Sequence, residues 1–165
     1  DTEQTAALAG ELAGLPLRGE PVVGVDASDQ QRLWRLRESL TEAISAVGRP
    51  LKFDVALPLS EVAGFAAESR ELAGDAMTIL FGHIGEGNLH LNVLRCGADG
   101  EPDLDAAMMK LIADHGGNVS SEHGVGSRKR AYLSMARTPA DIAAMRTIKA
   151  AFDPAGYLNP AVLFD

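Results

Sequence analysis

Two short segments of the 165-residue chain carry the side chains best suited to chemistry. One is a Gly-rich segment that contains His83 and His90, and the other contains Glu122 and His123 between small residues. Two histidines and one carboxylate, with open coordination positions, are typical of catalytic zinc and of non-haem iron. The residue types therefore predict a metal site, an acid–base site, or both.

The first segment has the pattern of a β-hairpin, because apolar runs flank the Gly-rich loop on both sides. A turn at Glu86-Gly87 would place His83 opposite His90, with Cβ atoms about 5 Å apart. Asn92 would point to the same face as His90, since it lies two residues further along the strand. The spacing leaves two interpretations open: two ligands of one divalent ion, or two unrelated polar histidines near a loop.

The second segment places a carboxylate next to an imidazole. Neighbouring side chains of an extended chain point in opposite directions, so Glu122 and His123 would have different roles. One could supply a third metal ligand and the other an acid–base group. The alternative is a solvated Glu-His pair in a loop. His115 is expected at the surface at a helix end, and Cys96 is expected to be an ordinary buried or loop thiol.

Composition argues against several other classes of function. The formal net charge of −8 argues against a nucleic-acid or anionic-membrane partner, and the basic run 128–130 is expected to be solvated. The single cysteine excludes a disulfide framework and multi-cysteine metal sites. No apolar stretch approaches about 18 residues, so no membrane span is predicted. The G-x-G-x-x-G, Walker A, G-x-S-x-G and H-E-x-x-H motifs are missing from the sequence, which leaves dinucleotide binding, P-loop hydrolysis and serine-esterase chemistry unsupported.

Hydrophobic periodicity and capping patterns predict an α+β fold. Capping boxes at Ser28 and Thr138 predict two helix starts, and Ser60 is predicted to cap a third helix. The helix after Ser28 would bury an apolar stripe of Leu33, Leu36, Leu40, Ile44 and Val47. Further elements are predicted as helices over 4–14, 60–74 and 103–114 and as strands over 21–25 and 52–58. With the hairpin, this order predicts an antiparallel sheet with helices packed on one face, followed by a C-terminal helical segment.

Together these segments resemble the C-terminal part of FAD-linked oxidases of the vanillyl-alcohol oxidase type, and among them the D-2-hydroxyacid dehydrogenases. The resemblance runs from about Gln31 to Leu163 and depends on five ordered motifs. These are Trp34–Glu38, Lys52–Val55, Gly82–His90, Ser121–Gly126 and Asp153–Pro160. Two departures are present: Glu86 stands where the family usually has Asp, and the basic residue that often follows Asn-Pro is missing.

The resemblance implies a role for each matching residue. His83, His90 and Glu122 resemble ligands of a divalent metal, usually zinc, and His123 resembles the catalytic base. The residues that resemble contacts to the substrate's carboxylates and hydroxyl are Arg37, Thr41, Lys52 and Asn92. Spacing agrees, since Arg37 and Thr41 are four residues apart on one helix face. Without the resemblance, ordinary surface charge would be the favoured interpretation of Arg37 and Lys52.

The implied activity is oxidation of a small 2-hydroxy acid to a 2-oxo acid by hydride transfer to FAD. The electrons would then pass to an acceptor protein or a quinone. The implied fold is a ferredoxin-like cap domain over 1–125, N-terminally incomplete, and a C-terminal helical segment over 126–165 that packs against an FAD-binding domain absent from this chain. A homodimer is a further expectation, and the Ala- and Gly-rich composition indicates a bacterial cytoplasmic location.

Two other classes stay open on the residues alone. One is a stand-alone metal-dependent hydrolase that uses a metal-bound water as nucleophile. The other is a non-catalytic metal-binding module. Hydrolysis of esters or amides with metal but without flavin would indicate the hydrolase.

The isolated 165-residue chain is predicted to bind no stoichiometric FAD and to oxidise no 2-hydroxy acid. The reason is that hydride acceptance is the chemistry of the cofactor, whereas a cap domain supplies groups for the substrate. Absorption spectra recorded after desalting from excess FAD measure this. A yellow protein with a flavin absorption band would contradict the prediction.

Overall fold

The computed structural model describes residues 2–16, 19, 22–94 and 101–164, within two compact units over 1–47 and 48–165. The regular structure described in the first unit is helical, and the second unit combines an antiparallel sheet with further helices. The chain is therefore an α+β protein, as the element pattern predicts. Cys96 lies outside the described residues.

The first unit contains three helices: α1 (Thr2–Ala13), α2 (Ala27–Glu38) and α3 (Leu40–Val47). Asp26 caps α2, since its side chain accepts the backbone N–H of Asp29 at 2.8 Å. The prediction of Ser28 as the cap is wrong, because Asp26 presents its acceptor two residues earlier and starts the helix there. The strand predicted over 21–25 is wrong for 22–25, which have no regular structure, and Pro21 lies outside the described residues.

The apolar stripe predicted along this helix is largely exposed. Ile44 is buried, but Leu36 is 68 % exposed and Val47 is 51 % exposed. The stripe assumes one continuous helix, whereas Ser39 separates α2 from α3 and its hydroxyl donates to the Leu36 carbonyl oxygen at 2.9 Å. Helical spacing therefore identifies the helices but not their buried faces.

The second unit is organised by a three-stranded antiparallel sheet in the order β1-β3-β2. Its strands are β1 (Leu51–Ala56), β2 (Met77–His83) and β3 (Asn88–Leu94), and α4 (Val62–Ala73) connects β1 to β2. Because β1 and β2 each run antiparallel to β3, they are parallel to each other, and α4 is the crossover that joins them. β3 therefore lies at the centre of the sheet and pairs with both other strands.

One face of this sheet carries the hydrophobic core. Successive side chains of a strand point to opposite faces, so alternate residues of each strand enter the core. Helices α4 and α5 (Glu101–Asp114) pack against that face. The core includes Phe53, Val55, Phe65, Leu89, Leu91, Val93, Met108, Met109 and Ile112. The opposite face consequently carries the polar residues of the strands.

Helix α4 begins differently from its prediction. A 3₁₀ turn over Leu59–Glu61 precedes it, and Glu61 at its N-cap makes no side-chain capping bond. Ser60 lies inside this turn and its hydroxyl donates to the Glu61 carboxylate at 3.5 Å, so the prediction that Ser60 caps the helix is wrong. The predicted end is confirmed, since Gly74, with φ 58°, stops the helix.

Three further helices follow: α6 (Gly126–Lys129), α7 (Leu133–Ala136) and α8 (Pro139–Phe152). The capping box of α8 is confirmed, because the Thr138 hydroxyl accepts the Asp141 N–H at 3.2 Å and the Asp141 carboxylate accepts the Thr138 N–H at 3.0 Å. The domain division at residue 125 stays a prediction. Among the described ranges, no helix is long and apolar enough to cross a membrane.

His115 follows α5 and connects it to the region around α4. Its Nδ1 lies 3.0 Å from the Glu61 carboxylate and its Nε2 lies 3.4 Å from the Glu68 carboxylate, while its ring meets Phe65 edge-on at 5.9 Å. The expected surface position is wrong, since the ring lies between these groups and the side chain is 11 % exposed. The hydrogen bond to Glu61 raises the pKa of His115, burial opposes this, and Glu68 raises it further.

This arrangement predicts a pH-dependent contribution to stability. Because the folded-state pKa of His115 is raised above its ordinary 6.5, the stabilisation is fully present below pH 6.5 and is lost as the pH rises through the folded-state value. His115→Gln should lower the free energy of unfolding by about 1 kcal/mol at acidic pH and by less at alkaline pH. Urea unfolding between about pH 5 and 9 measures this. Equal losses across the range would contradict the prediction.

Candidate metal and substrate site

The polar face of the sheet carries the site residues in three rows that cross the strands. Since β3 is central, each row consists of one β3 residue with its partners in β1 and β2. The rows are Asp54–His90–Phe81, Lys52–Asn92–Ile79 and Ala56–Asn88–His83. Strand alternation places these side chains on the face opposite the core.

The hairpin differs from its prediction by two residues in register. His83 pairs with Asn88 and His90 pairs with Phe81, so the prediction that the two histidines are a cross-strand pair is wrong. The reason is a longer connection, in which a 3₁₀ turn precedes Gly87 in the left-handed conformation at φ 70°. A shift of two residues keeps every side chain on its face, because the side-chain period of a strand is two. The two histidines therefore share one face, as predicted.

Asp54 connects the sheet to residues 119–124, which we call the site loop and which carry Glu122 and His123. Asp54 is 3 % exposed, and its Oδ2 accepts the backbone N–H of Glu122 at 2.7 Å and that of His123 at 3.1 Å. Burial raises the pKa of Asp54, but these hydrogen bonds and the charges of His123 and Lys129 outweigh burial and lower the pKa below its ordinary value. The carboxylate is therefore ionised at neutral pH.

Two imidazoles lie beside this carboxylate. His90 Nδ1 is 3.5 Å from Asp54 Oδ1, and His123 Nδ1 is 3.8 Å from Asp54 Oδ2. The two rings are stacked, with centroids 5.7 Å apart and planes 9° apart. One ligand atom from each of the three residues lies within 4.8 Å of the others. This His-Asp-His cluster has the donor types that divalent metals bind.

Glu122 contacts a different set of groups from its neighbour His123. Its Oε1 lies 3.9 Å from His83 Nδ1 and accepts a hydrogen bond from the Asn88 side-chain amide. The side chains of His83 and Glu122 are each about half exposed. The residues predicted as metal ligands thus fall into two groups, His83 with Glu122 and His90 with Asp54, and their ligand role stays a prediction.

The site loop is held in place from both ends. The Ser120 N–H donates to the Asn118 side chain at 3.2 Å, and the Ser120 hydroxyl donates across the loop to the Gly124 carbonyl oxygen at 2.6 Å. The ammonium of Lys129 donates to the Val119 carbonyl oxygen at 2.7 Å. Together with Asp54, these bonds satisfy much of the loop's polar backbone and fix its path.

Sequence reasoning missed Asp54 and Lys129 as residues that build the site. Lys129 belongs to the basic run expected to be solvated, yet it is buried, and burial lowers its pKa. Asp54 lies in the strand predicted over 52–58 and in the motif Lys52–Val55, but it is not among the predicted site residues. The signal that could have identified Asp54 is a carboxylate on the same strand face as Lys52, whereas nothing in the sequence marks Lys129.

The residues predicted to contact substrate are divided between the two units. Lys52 and Asn92 lie opposite each other on β1 and β3, where Lys52 is exposed and Asn92 is buried. Arg37 and Thr41 belong to α2 and α3 of the first unit, and the Arg37 guanidinium lies 5.7 Å from the centre of the Trp34 ring. The structure brings Lys52 and Asn92 together, and the roles of all four residues stay predictions.

Fold and site define an α+β domain that presents imidazole, carboxylate and amide groups on one sheet face beside a glycine-bounded Glu-His loop. The chain belongs to the family described as FAD linked oxidases, C-terminal domain, whose model matches residues 1–163. This confirms the family resemblance that the five sequence motifs indicate.

Several curated relatives are D-2-hydroxyglutarate dehydrogenases. The protein of that name from Xanthomonas citri pv. viticola is 42% identical over 154 residues, which is 86% of this chain and 32% of the relative. The one from Stutzerimonas stutzeri is 38% identical over 145 residues, 81% of this chain and 31% of the relative. The mitochondrial protein of Danio rerio is 34% identical over 166 residues, 97% of this chain and 31% of the relative. The chain thus spans about a third of the length of the curated relatives it matches.

Replacing Gly87→Ala is expected to destabilise the hairpin that carries the site histidines. Gly87 has φ 70°, and an added Cβ would lie 2.0 Å from the carbonyl oxygen of Leu57. The two backbones are close because the Leu57 N–H donates to the Gly87 carbonyl oxygen. Strain and overpacking together should cost at least about 2 kcal/mol in the free energy of unfolding.

Gly85→Ala is the matched control, because an added Cβ there meets nothing within 4 Å. Its effect should stay within about 0.5 kcal/mol. Urea unfolding of both variants measures the difference, and equal stabilities would contradict this account of the turn.

Proposed function

We propose that this chain is the substrate-binding C-terminal part of a flavin-dependent D-2-hydroxyacid dehydrogenase. The reaction would convert a 2-hydroxy acid to a 2-oxo acid, with the hydride from the substrate carbon passing to FAD. Family membership and the names of the relatives support the reaction class. The observation that carries the proposal is that His90 and His123 lie beside the Asp54 carboxylate, with Glu122 and His83 as a neighbouring pair.

The residues present fit a divalent metal ion. The imidazoles of His90 and His123 and the carboxylate of Asp54 form a suitable donor set. Two buried oxygens on the same face of the sheet, Asp54 Oδ1 and Asn88 Oδ1, have no hydrogen-bond partner. The resemblance assigns the ion, for which zinc is the expected identity, to His83, His90 and Glu122. The side chains whose ligand atoms already lie within 4.8 Å of one another are Asp54, His90 and His123. When bound, the ion supplies Lewis acidity toward the substrate's hydroxyl group.

Substrate binding would use the row next to the imidazole cluster. Lys52 offers an exposed cation for a substrate carboxylate, and the buried Asn92 amide opposite it can hydrogen-bond the substrate's polar groups. The resemblance also assigns Arg37 and Thr41 to substrate binding, and a guanidinium can bind a carboxylate through two hydrogen bonds. The flavin supplies the hydride acceptor when bound, and we assign no residue of this chain to hold it.

His123 is the proposed base that removes the hydroxyl proton. Its side chain is 65 % exposed and therefore accessible to substrate, and its Nδ1 faces the ionised Asp54 carboxylate at 3.8 Å. Nε2, the other ring nitrogen, would take the proton. The carboxylate would then stabilise the imidazolium that forms. A neutral imidazole is suited to this role near neutral pH.

Three further parts of the proposal depend on the resemblance and on composition. The electron acceptor would be a protein or a quinone, the protein would form a homodimer, and its location would be the cytoplasm. None of these enters the chemistry at the site.

Activity assays of the full-length protein, with a dye as electron acceptor, test the proposal. We expect oxidation of a D-2-hydroxy acid and not of its L enantiomer. His123→Ala should lower turnover by about 10²–10⁴-fold while metal content stays at the wild-type level, because the base does not bind the ion. His115→Gln is the matched control, since this histidine lies outside the site, and it should keep wild-type turnover.

Loss of metal from His123→Ala, with activity restored by excess zinc, would make His123 a structural group. Hydrolysis of esters or amides without any hydroxyacid oxidation would replace the dehydrogenase proposal with the metal-dependent hydrolase.

A further inference from the structure

We propose that Asp54 is the positioning residue of the site, with each of its oxygens holding a different part in place. Oδ2 fixes the backbone of the site loop, and Oδ1 orients the ring of His90 so that its Nε2 is the nitrogen available to an ion. This inference rests on the proposed metal function, but it concerns how the ligands are oriented and not which ion they bind.

The two oxygens of Asp54 have different surroundings. Oδ2 accepts two backbone N–H groups, from Glu122 and His123. Oδ1 is buried and makes no hydrogen bond, and His90 Nδ1 lies 3.5 Å from it. A buried carboxylate oxygen without a partner is costly, and an N–H on His90 Nδ1 is the donor placed to satisfy it after a small approach.

The tautomer of a neutral His90 ring determines which of its nitrogens can bind an ion. A neutral imidazole carries one proton, so a ring that donates from Nδ1 to Asp54 has its free lone pair on Nε2. Metal-binding histidines commonly donate their other N–H to a carboxylate, which fixes both the tautomer and the ring orientation. The ring of Phe81, centred 5.3 Å from the His90 ring, restricts rotation from the neighbouring strand.

Oδ2 of Asp54 fixes the site loop. Because the N–H groups of Glu122 and His123 converge on one atom, the backbone of both residues has a fixed position relative to β1. His90 lies directly opposite Asp54 on β3. One side chain therefore sets the spacing between a strand that carries a proposed ligand and the loop that carries Glu122 and the proposed base.

The variant Asp54→Asn separates these two actions. Its carbonyl oxygen can keep the backbone bonds to the site loop, whereas its NH₂ group would replace Oδ1 and donate to His90 Nδ1. The ring proton would then move to Nε2, the nitrogen that the ion needs. Asp75→Asn is the matched control, because it makes the same chemical change at an exposed aspartate.

Nitrogen-15 NMR of the metal-free 165-residue chain at about pH 8, where most histidines are neutral, identifies the tautomer. His90→Gln assigns the signals. We expect the Nδ1–H form of His90 in the wild type and in Asp75→Asn, and the Nε2–H form in Asp54→Asn. Titration with zinc alone should show an affinity about 10–100-fold lower in Asp54→Asn.

An Nε2–H tautomer in the wild type would overturn the proposal. So would zinc binding at His90 Nδ1, because Asp54 and that nitrogen would then hold the ion directly. A wild-type chain with the Nδ1–H tautomer but no zinc binding would instead overturn the metal function and leave the positioning role intact. If Asp54→Asn does not fold, the wild-type tautomer alone decides.

Discussion

The buried carboxylate of Asp54 connects the sheet to the site loop, and these two segments carry the site residues. Placing an ionised group where it is 3 % exposed costs several kcal/mol unless hydrogen bonds and charges compensate. Asp54 receives two backbone hydrogen bonds from the site loop, together with the fields of His123 and the buried Lys129. The two backbone hydrogen bonds come from the loop itself, so the carboxylate and the loop stabilise each other.

The sheet supplies the distances between the remaining groups. Neighbouring strands lie about 4.8 Å apart, and same-face residues along a strand lie about 7 Å apart. Because β3 is central, His90 and Asn92 each have a partner on both sides, and the polar groups form a grid of fixed spacing. Apolar residues at the alternate positions pack on α4 and α5, so the same strands hold the core together and present the site.

Sequence patterns predict the repeating parts of this structure well. The strand over 52–58, the hairpin and the capping box at Thr138 follow from local chemistry, and the structure confirms each of these elements apart from the register of the hairpin. Strand side chains alternate with a period of two, so a register shift of two residues leaves each side chain on its face. This is why the prediction that His83 and His90 share a face is correct although the predicted register is wrong.

What sequence reasoning misses depends on contacts between distant segments. Asp54 becomes a site residue only because the site loop returns to β1, and His115 is enclosed only because Glu61 and Glu68 flank it. The burial of Lys129 likewise depends on the Val119 carbonyl oxygen that it reaches. In the first unit, a periodic apolar stripe overestimates burial, because periodicity shows which residues share a face but not whether another element covers that face.

The cluster around Asp54 is assembled from β1, β3 and a loop that lie far apart along the chain. Contacts of this kind close late, after the entropy of the intervening loops has been lost, so a partly folded chain would lack the cluster even if its helices were formed. Any ligand that recognises the cluster would therefore bind the native state and ignore its precursors. By mass action such a ligand lowers the fraction of unfolded molecules. The ligand concentration would therefore influence the lifetime of the protein against proteolysis as well as its turnover.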